Sequence, residues 1–363
     1  MTTDQQMDRQ MDRQEWHDFL SGEGASWEGD RTRFPDCEAD LRLIDLSPWG
    51  AVSVHGPDSQ KFLQGQLTCD LVNLPEGHAT FGAHCNPKGR MISAFHALKE
   101  SPDNILLSLP RDLAPIALAG LTKYAVFFKT DLQELNNSHQ WLGLQGAGAA
   151  SRAAELLSVA ELSHLEAGAA RRFTFEDGEA LAHVLNSEQV AILVPLASAP
   201  ALWQKLAAGA TPSGLCHWQL RLISEGIPQL HAETSGIFIP QMLNLHLLGG
   251  VSFKKGCYTG QEVVARLQYL GQAKRRMYRG RCASGDLPPP GASILEVKSA
   301  EESSKSCGDI VIAERSEQGV ELLAVLTNSS VAAGTPLRLE DGRQLELLEL
   351  PYDADADPLT DSD

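Results

Sequence analysis

Two apolar periodicities interleave along the first two thirds of the chain, and one of them takes over afterwards. "LRLIDL" (41–46) and "AVSVHG" (51–56) read as strands, and Gly56-Pro57-Asp58 then opens a short helix through "SQKFLQGQL". "ATFGAHC" and "RMISAFHAL" alternate with period two on either side of "NPKG", which is a hairpin signature. The pattern next predicts a strand over 104–109, a helix over 112–123 and strands at "AVFFKT", "WLGLQG" and "VAILVPL", the last followed by the helix "ALWQKLAAG". In "LCHWQLRLISEG", Leu215, Trp218 and Leu222 share one helical face, and Gly226 with Pro228 just beyond marks the stop. After Lys274 only short strands remain, broken by Gly and Pro: "RMYRGRC", "SILEV", "GDIVIAE", "LLAVL", "PLRLE" and "QLELLEL". That run predicts a small β-barrel. The fold class is therefore α+β with a C-terminal barrel. The expected division is a flexible N-terminal tail over 1–36, an α+β region over 37–273, the barrel over 274–352 and an acidic disordered tail over 353–363.

Composition narrows the function classes. No run approaches the roughly 20 apolar residues of a membrane span, and "MTTDQQMDRQMDRQEW" lacks an apolar signal core. Seven cysteines, odd in number and never spaced C-x-x-C, fit reduced thiols in a cytoplasmic protein without a structural zinc site. The histidines show no H-x-x-x-H spacing, so no metal is expected, and no phosphate-binding G-x-x-x-x-G-K-[ST] loop is present. The formal net charge is −17, which disfavours nucleic acid, yet one segment inverts it. Lys254, Lys255, Arg266, Lys274, Arg275, Arg276, Arg279 and Arg281 face a single acid, Glu262. Such a concentration of like charge predicts an anion-binding surface.

The segment begins with "KKGCYTGQE" (254–262). Thr259 followed three residues later by Glu262 fits a capping box for the helix "QEVVARLQYL", which makes Glu262 mainly structural. A helix N-terminus favours anions and thiolates, and Gly256 and Gly260 would let the backbone approach a ligand. Cys257 beside two lysines reads either as a reactive thiol or as a small packed hydrophobe. His84 and Cys85 read as strand-end packing, and Lys88 and Arg90 as solvated turn charges.

"SFKKGCYTGQEVVAR" resembles the signature of the YgfZ-type folate-binding family, which shares its fold with the glycine-cleavage aminomethyltransferases (GcvT-like). "GPDSQKFLQGQLTCD", "AHCNPKGRM", "LTKYAVFFK", "GIPQL" and "FIPQMLNLHLLGGVSF" follow the family's order and spacing, over about residues 40–352. The resemblance implies two α/β subdomains around a central hole that holds tetrahydrofolate, with the barrel beside them. It implies support of iron–sulfur enzymes or their assembly, an indirect effect on tRNA modification, and a monomer. It carries folate contacts to Trp49, Trp218, Lys255, Tyr258, Gln261 and Arg266, and a reactive thiol to Cys257. Flat pterin and aminobenzoyl rings suit indole faces, although the apolar stripe alone would bury Trp218 and a half-exposed ring is expected for Trp49. Two departures stand out. The acid pair that follows the N-x-x-G hairpin in aminomethyltransferases is here Ser93 and Ala94, which exchange no proton near neutrality. A pterin-binding glutamate expected at 224 is Ser224, with Glu225 next to it. An accessory folate-binding role leads, with a one-carbon transferase or demethylase and an RNA-binding module on the basic strand as alternatives.

Overall fold

The structure is a computed structural model that describes residues 12–271, 273–297 and 305–356. The chain forms two compact units, each built from two stretches of sequence: Met1–Gly50 with Glu134–Leu215, and Ala51–Gln133 with Cys216–Asp363. The α+β expectation holds, and the 37–273 region is shared between the two units. Its middle portion returns to complete the unit begun by the N-terminus.

The first unit is built on a six-stranded sheet in the order Ala170–Phe175, Gly178–Asn186, Gln189–Pro195, His139–Gly146, Leu41–Asp45 and Thr211–Ser213. Only the last pair is parallel among the pairings described for this sheet. Residues 12–36 are not a tail. Helix Arg13–Gly22 starts at a capping box between Asp12 and Glu15 and buries Trp16 and Leu20 in a core with Leu43 and Trp203. The strands Ser26–Glu28 and Arg31–Arg33 pair next to it. Trp16 donates its indole N–H to Asp45 at 3.1 Å, and Arg13 binds the carbonyl of Asn136 through Nε at 2.8 Å. Trp16 and Leu20, four residues apart, supply the apolar stripe, and Asp18 between them is exposed.

The second unit holds a five-stranded sheet in the order His78–Cys85, Met91–Ser101, Asn104–Pro110, Trp49–His55 and Asp131–Glu134. It also holds the closed six-stranded barrel, ordered Arg275–Cys282, Gly319–Thr327, Lys305–Ser316, Ser293–Glu296, Leu337–Leu339 and Gln344–Leu348. All six expected barrel strands form, but the barrel is not walled off. Its Met277, Val311, Leu323 and Val325 share one core with Val52 and Leu107 of the sheet and with Phe238. The segment "AVFFKT" is not a strand: helix Ala114–Ala125 runs on into an exposed turn, where Val126 and Phe127 are 73% and 83% accessible. Residues 353–356 are likewise held, through Arg276 bonding to the Ala354 carbonyl and the Asp355 carboxylate. The rest of the expected acidic tail lies outside the described residues.

Candidate functional site: a braced thiol loop

The loop 252–260 is assembled by hydrogen bonds to a segment that carried no assigned role in the sequence. Ser252 donates its backbone N–H to the Thr68 carbonyl at 2.9 Å. The Thr68 hydroxyl in turn donates to the Gly250 carbonyl at 2.6 Å and accepts the Ala83 N–H at 2.9 Å. Lys255 is buried, and its Nζ donates to the carbonyls of Leu67 and Cys69, each at 2.7 Å. That ammonium also sits 5.3 Å from the centre of the Tyr258 ring. The thiol loop, the 66–70 segment and the end of strand His78–Cys85 thus form one hydrogen-bonded block. "LQGQLTC" contributes the Thr68 hydroxyl and three backbone carbonyls, and the acceptors of Lys255 are carbonyls that any residue types would provide, so side-chain chemistry could not reveal that tie.

The helix that follows starts differently from the T-x-x-E expectation. Gly260 is the cap, in a left-handed conformation at φ 85°, and no side chain caps the helix Gln261–Leu270. The Thr259 hydroxyl instead points to Gln66 Oε1 at 3.3 Å, and Glu262 is exposed. The reason is steric: a Cβ at Gly260 would lie 2.5 Å from the Asn86 carbonyl oxygen and 3.1 Å from Gly89 Cα. The hairpin turn "NPKG" therefore packs its backbone directly on the helix start, which selects glycine at the cap and displaces Thr259 from it.

The inferred ligand contacts separate into groups. Cys257 is exposed on the loop, so the packed-hydrophobe reading does not hold. Lys255, inferred to contact folate, turns inward to main-chain oxygens, and burial pushes its ammonium down to about 8 against the pull of Cys69 and Asp70. Tyr258 is buried with its hydroxyl unpartnered among the described residues, and burial pushes that hydroxyl upward, with Cys85 adding to the effect. Gln261 is half-buried and its N–H bonds the Tyr258 carbonyl, whereas Arg266 is exposed. Trp49 heads the strand Trp49–His55 and falls in the last two residues of the first unit's opening stretch, whereas Trp218 falls in the second unit. Trp49 is only 6% accessible, not half-exposed, and Trp218 is fully enclosed in helix Leu215–Ser224. Past that helix, Arg221 holds Glu225 Oε1 at 2.7 Å, and Ser224 bonds back to the Arg221 carbonyl.

Ser93 lies directly across the strand pair from His84, and both are buried. The Ser93 hydroxyl and His84 Nδ1 find no partner among the described residues, and burial, helped by Lys123, pushes the imidazole down to about 4. Cys85 is buried as expected, and its thiol is pushed up to about 12.

The basic strand does not meet its expectation. Arg275 pairs with Asp309, Arg276 with Asp355, Arg279 with Glu321 at 2.7 Å and Arg281 with Glu346 at 2.9 Å. Acids brought in by neighbouring strands and by the chain end neutralise the guanidinium groups, so this strand is not an open anion-binding surface.

Residues 31–248 match the GCVT N-terminal domain family, and the chain belongs to that family. The fold agrees: glycine cleavage system aminomethyltransferase T from Bartonella henselae superposes with a TM-score of 0.68 at 20% identity, covering 86% of each chain. Within the family the chain stands with proteins named tRNA-modifying protein YgfZ. The one from Escherichia coli O127:H6 is 33% identical over 316 residues, covering 86% of this chain and 93% of that protein. The one from Colwellia psychrerythraea is 33% identical over 291 residues, covering 79% and 85%. Among the described residues no helix is long and apolar enough to cross a membrane.

Proposed function

We propose that the protein is a cytoplasmic, tetrahydrofolate-binding accessory factor that supports the assembly or repair of iron–sulfur enzymes and through them tRNA modification. The observation that carries this reading is Ser93. A buried hydroxyl stands where an aminomethyltransferase would place an acid, while an exposed thiol is displayed on a braced loop. The residues present suit a reduced folate. Ser93, His84, Gln229 and Tyr258 all belong to the second unit, and each buries a polar atom that has no partner among the described residues. Buried polar atoms of this kind are costly unless something bonds them, and a heterocycle with donor and acceptor edges is one such partner. When bound, a reduced folate supplies ring nitrogens that carry one-carbon groups. The chain's own contribution is to hold the ring, keep His84 neutral and present Cys257.

A one-carbon transferase is less well supported, because His84 is the ionisable side chain opposite Ser93 and at about 4 it is a poor base at neutral pH. The test is a tetrahydrofolate titration of the wild type and Cys257→Ala, read by tryptophan fluorescence. Quenching in both supports a folate site independent of the thiol. No quenching in either, with the fold intact, removes the reading.

A further inference from the structure

We propose that Lys255 is a positioning residue for the Cys257 thiol: its terminal amine ties the loop to the 66–70 segment and so fixes the place from which the thiol is presented. This deepens the accessory-factor reading and rests on it for its purpose, though not for its test. A lysine serving as an anion contact keeps its charge in solvent, whereas Lys255 is buried and its amine lies 2.7 Å from each of two main-chain oxygens. These oxygens belong to Leu67 and Cys69, remote in sequence, and Cys257 is two residues from the lysine that joins them. Gly256, between the two, meets nothing within 4 Å of a would-be Cβ, so its side-chain position faces open space. The tie at Lys255 and the cap at Gly260 are the fixed points on either side.

The brace does not require a charge. A neutral amine still has two N–H groups, one for each carbonyl, and loss of the proton removes the cost of burying an ammonium. The titratable groups around it are Cys69 and Asp70 from the 66–70 segment and Tyr258 from the loop itself, with Cys85 of the neighbouring strand behind Tyr258. Burial keeps Cys69 protonated, pushing its thiol to about 11. A braced lysine near 8 and a solvated one near ~10.4 bind different numbers of protons between those values. In that window the open loop holds the extra proton, so rising pH favours the braced form.

The experiment places a nitroxide spin label on Cys257 in a Cys37→Ser background and measures backbone amide exchange across 252–260, corrected for intrinsic rates, from pH 7 to 9.5. Wild type is expected to give an ordered label and protected amides, with protection rising as pH passes about 8. Lys255→Met, of similar length but without donors, is expected to mobilise the label and lose about tenfold or more in protection, the scale of a hydrogen bond to a charged group. Lys255→Arg cannot release a proton in this range and is read for pH dependence alone, which it should lack. A Lys255→Met protein as ordered as wild type overturns the proposal, and so does pH dependence that survives in Lys255→Arg. If Lys255→Met fails to fold, the arginine variant still decides. Tetrahydrofolate titration of the same samples keeps the two readings apart: unaltered loop order in Lys255→Met sinks the brace, whereas absent quenching in wild type sinks only the folate site.

Discussion

Two stretches of one basic segment, the thiol loop and the strand Arg275–Cys282, meet opposite fates. On the strand, every arginine is matched by a carboxylate from elsewhere in the chain: barrel strands supply three of the partners, with Arg281 directly opposite Glu346, and the segment after the barrel supplies Asp355. On the loop, Lys255 is satisfied by main-chain oxygens, while Lys254 and the Cys257 thiol are exposed. Counting charge along a sequence therefore says little about the surface that results. A strand imports its counter-ions from partners dozens of residues away, and a loop can turn its charge inward.

The comparison can be pressed hardest at the loop's own backbone. Gly260→Ala places a Cβ 2.5 Å from a carbonyl oxygen at positive φ and is expected to cost about 3 kcal/mol or prevent folding. Gly256→Ala, in open space four residues away, should stay within roughly 0.5 kcal/mol in the same urea titration. Equal losses at the two sites would mean that the loop is not held as described.

Acid should separate the regions next. His84 is held near 4 in the fold and titrates near ~6.5 when unfolded, so its contribution is complete above the unfolded value and declines as pH falls towards about 4. The shift corresponds to about 3 kcal/mol, and half-buried His96, also near 4, adds in the same direction. Amide exchange should therefore quicken in the hairpin 78–101, on which the loop rests, before it does in the paired arginine strand. A barrel that loosens first would contradict this.

Smaller effects belong to the strand. Arg279→Ala strands a half-buried Glu321 and should cost about 1–2 kcal/mol, whereas Arg276→Ala loses an exposed partner and should cost under about 0.5 kcal/mol. Smallest of all is the effect on RNA. Because these guanidiniums are already paired, Arg275→Ala with Arg276→Ala should alter tRNA retention by less than about twofold at any salt concentration, whereas a strand reading phosphates would show a steep salt dependence.

Much of the architecture was legible in the sequence. The barrel announces itself because period-two alternation between Gly and Pro breaks has few other solutions, and all six strands lie where the pattern puts them. Helix starts were less transparent. The T-x-x-E at Thr259 forms no cap, because a neighbouring turn occupies the space, while the equivalent D-x-x-E at Asp12 does form one. Asp12-x-x-Glu15 followed by Trp16 and Leu20 was the available signal for the N-terminal helix, hidden in a stretch whose overall polarity suggested a tail. "AVFFKT" misled in the opposite sense, since its apolar residues end a helix and stand in solvent. At the site, Cys257 could be singled out by type, and Tyr258 only through the resemblance. The inward turn of Lys255 could not, because its acceptors are backbone atoms whose position only the fold sets.

The interleaved units also constrain how the chain can be made. Strands between residues 51 and 133 leave the ribosome long before Ile223, Phe238, Met277 and Leu323, which close their shared core. The early sheet must wait with apolar surface uncovered while the 82 residues Glu134–Leu215 of another unit are synthesised, at roughly 5–20 residues per second. Such long-range closure is slow and exposed to aggregation. A nascent chain stalled near residue 215 should therefore engage chaperones strongly, with one unit's sequence all present and the other still missing most of its interior.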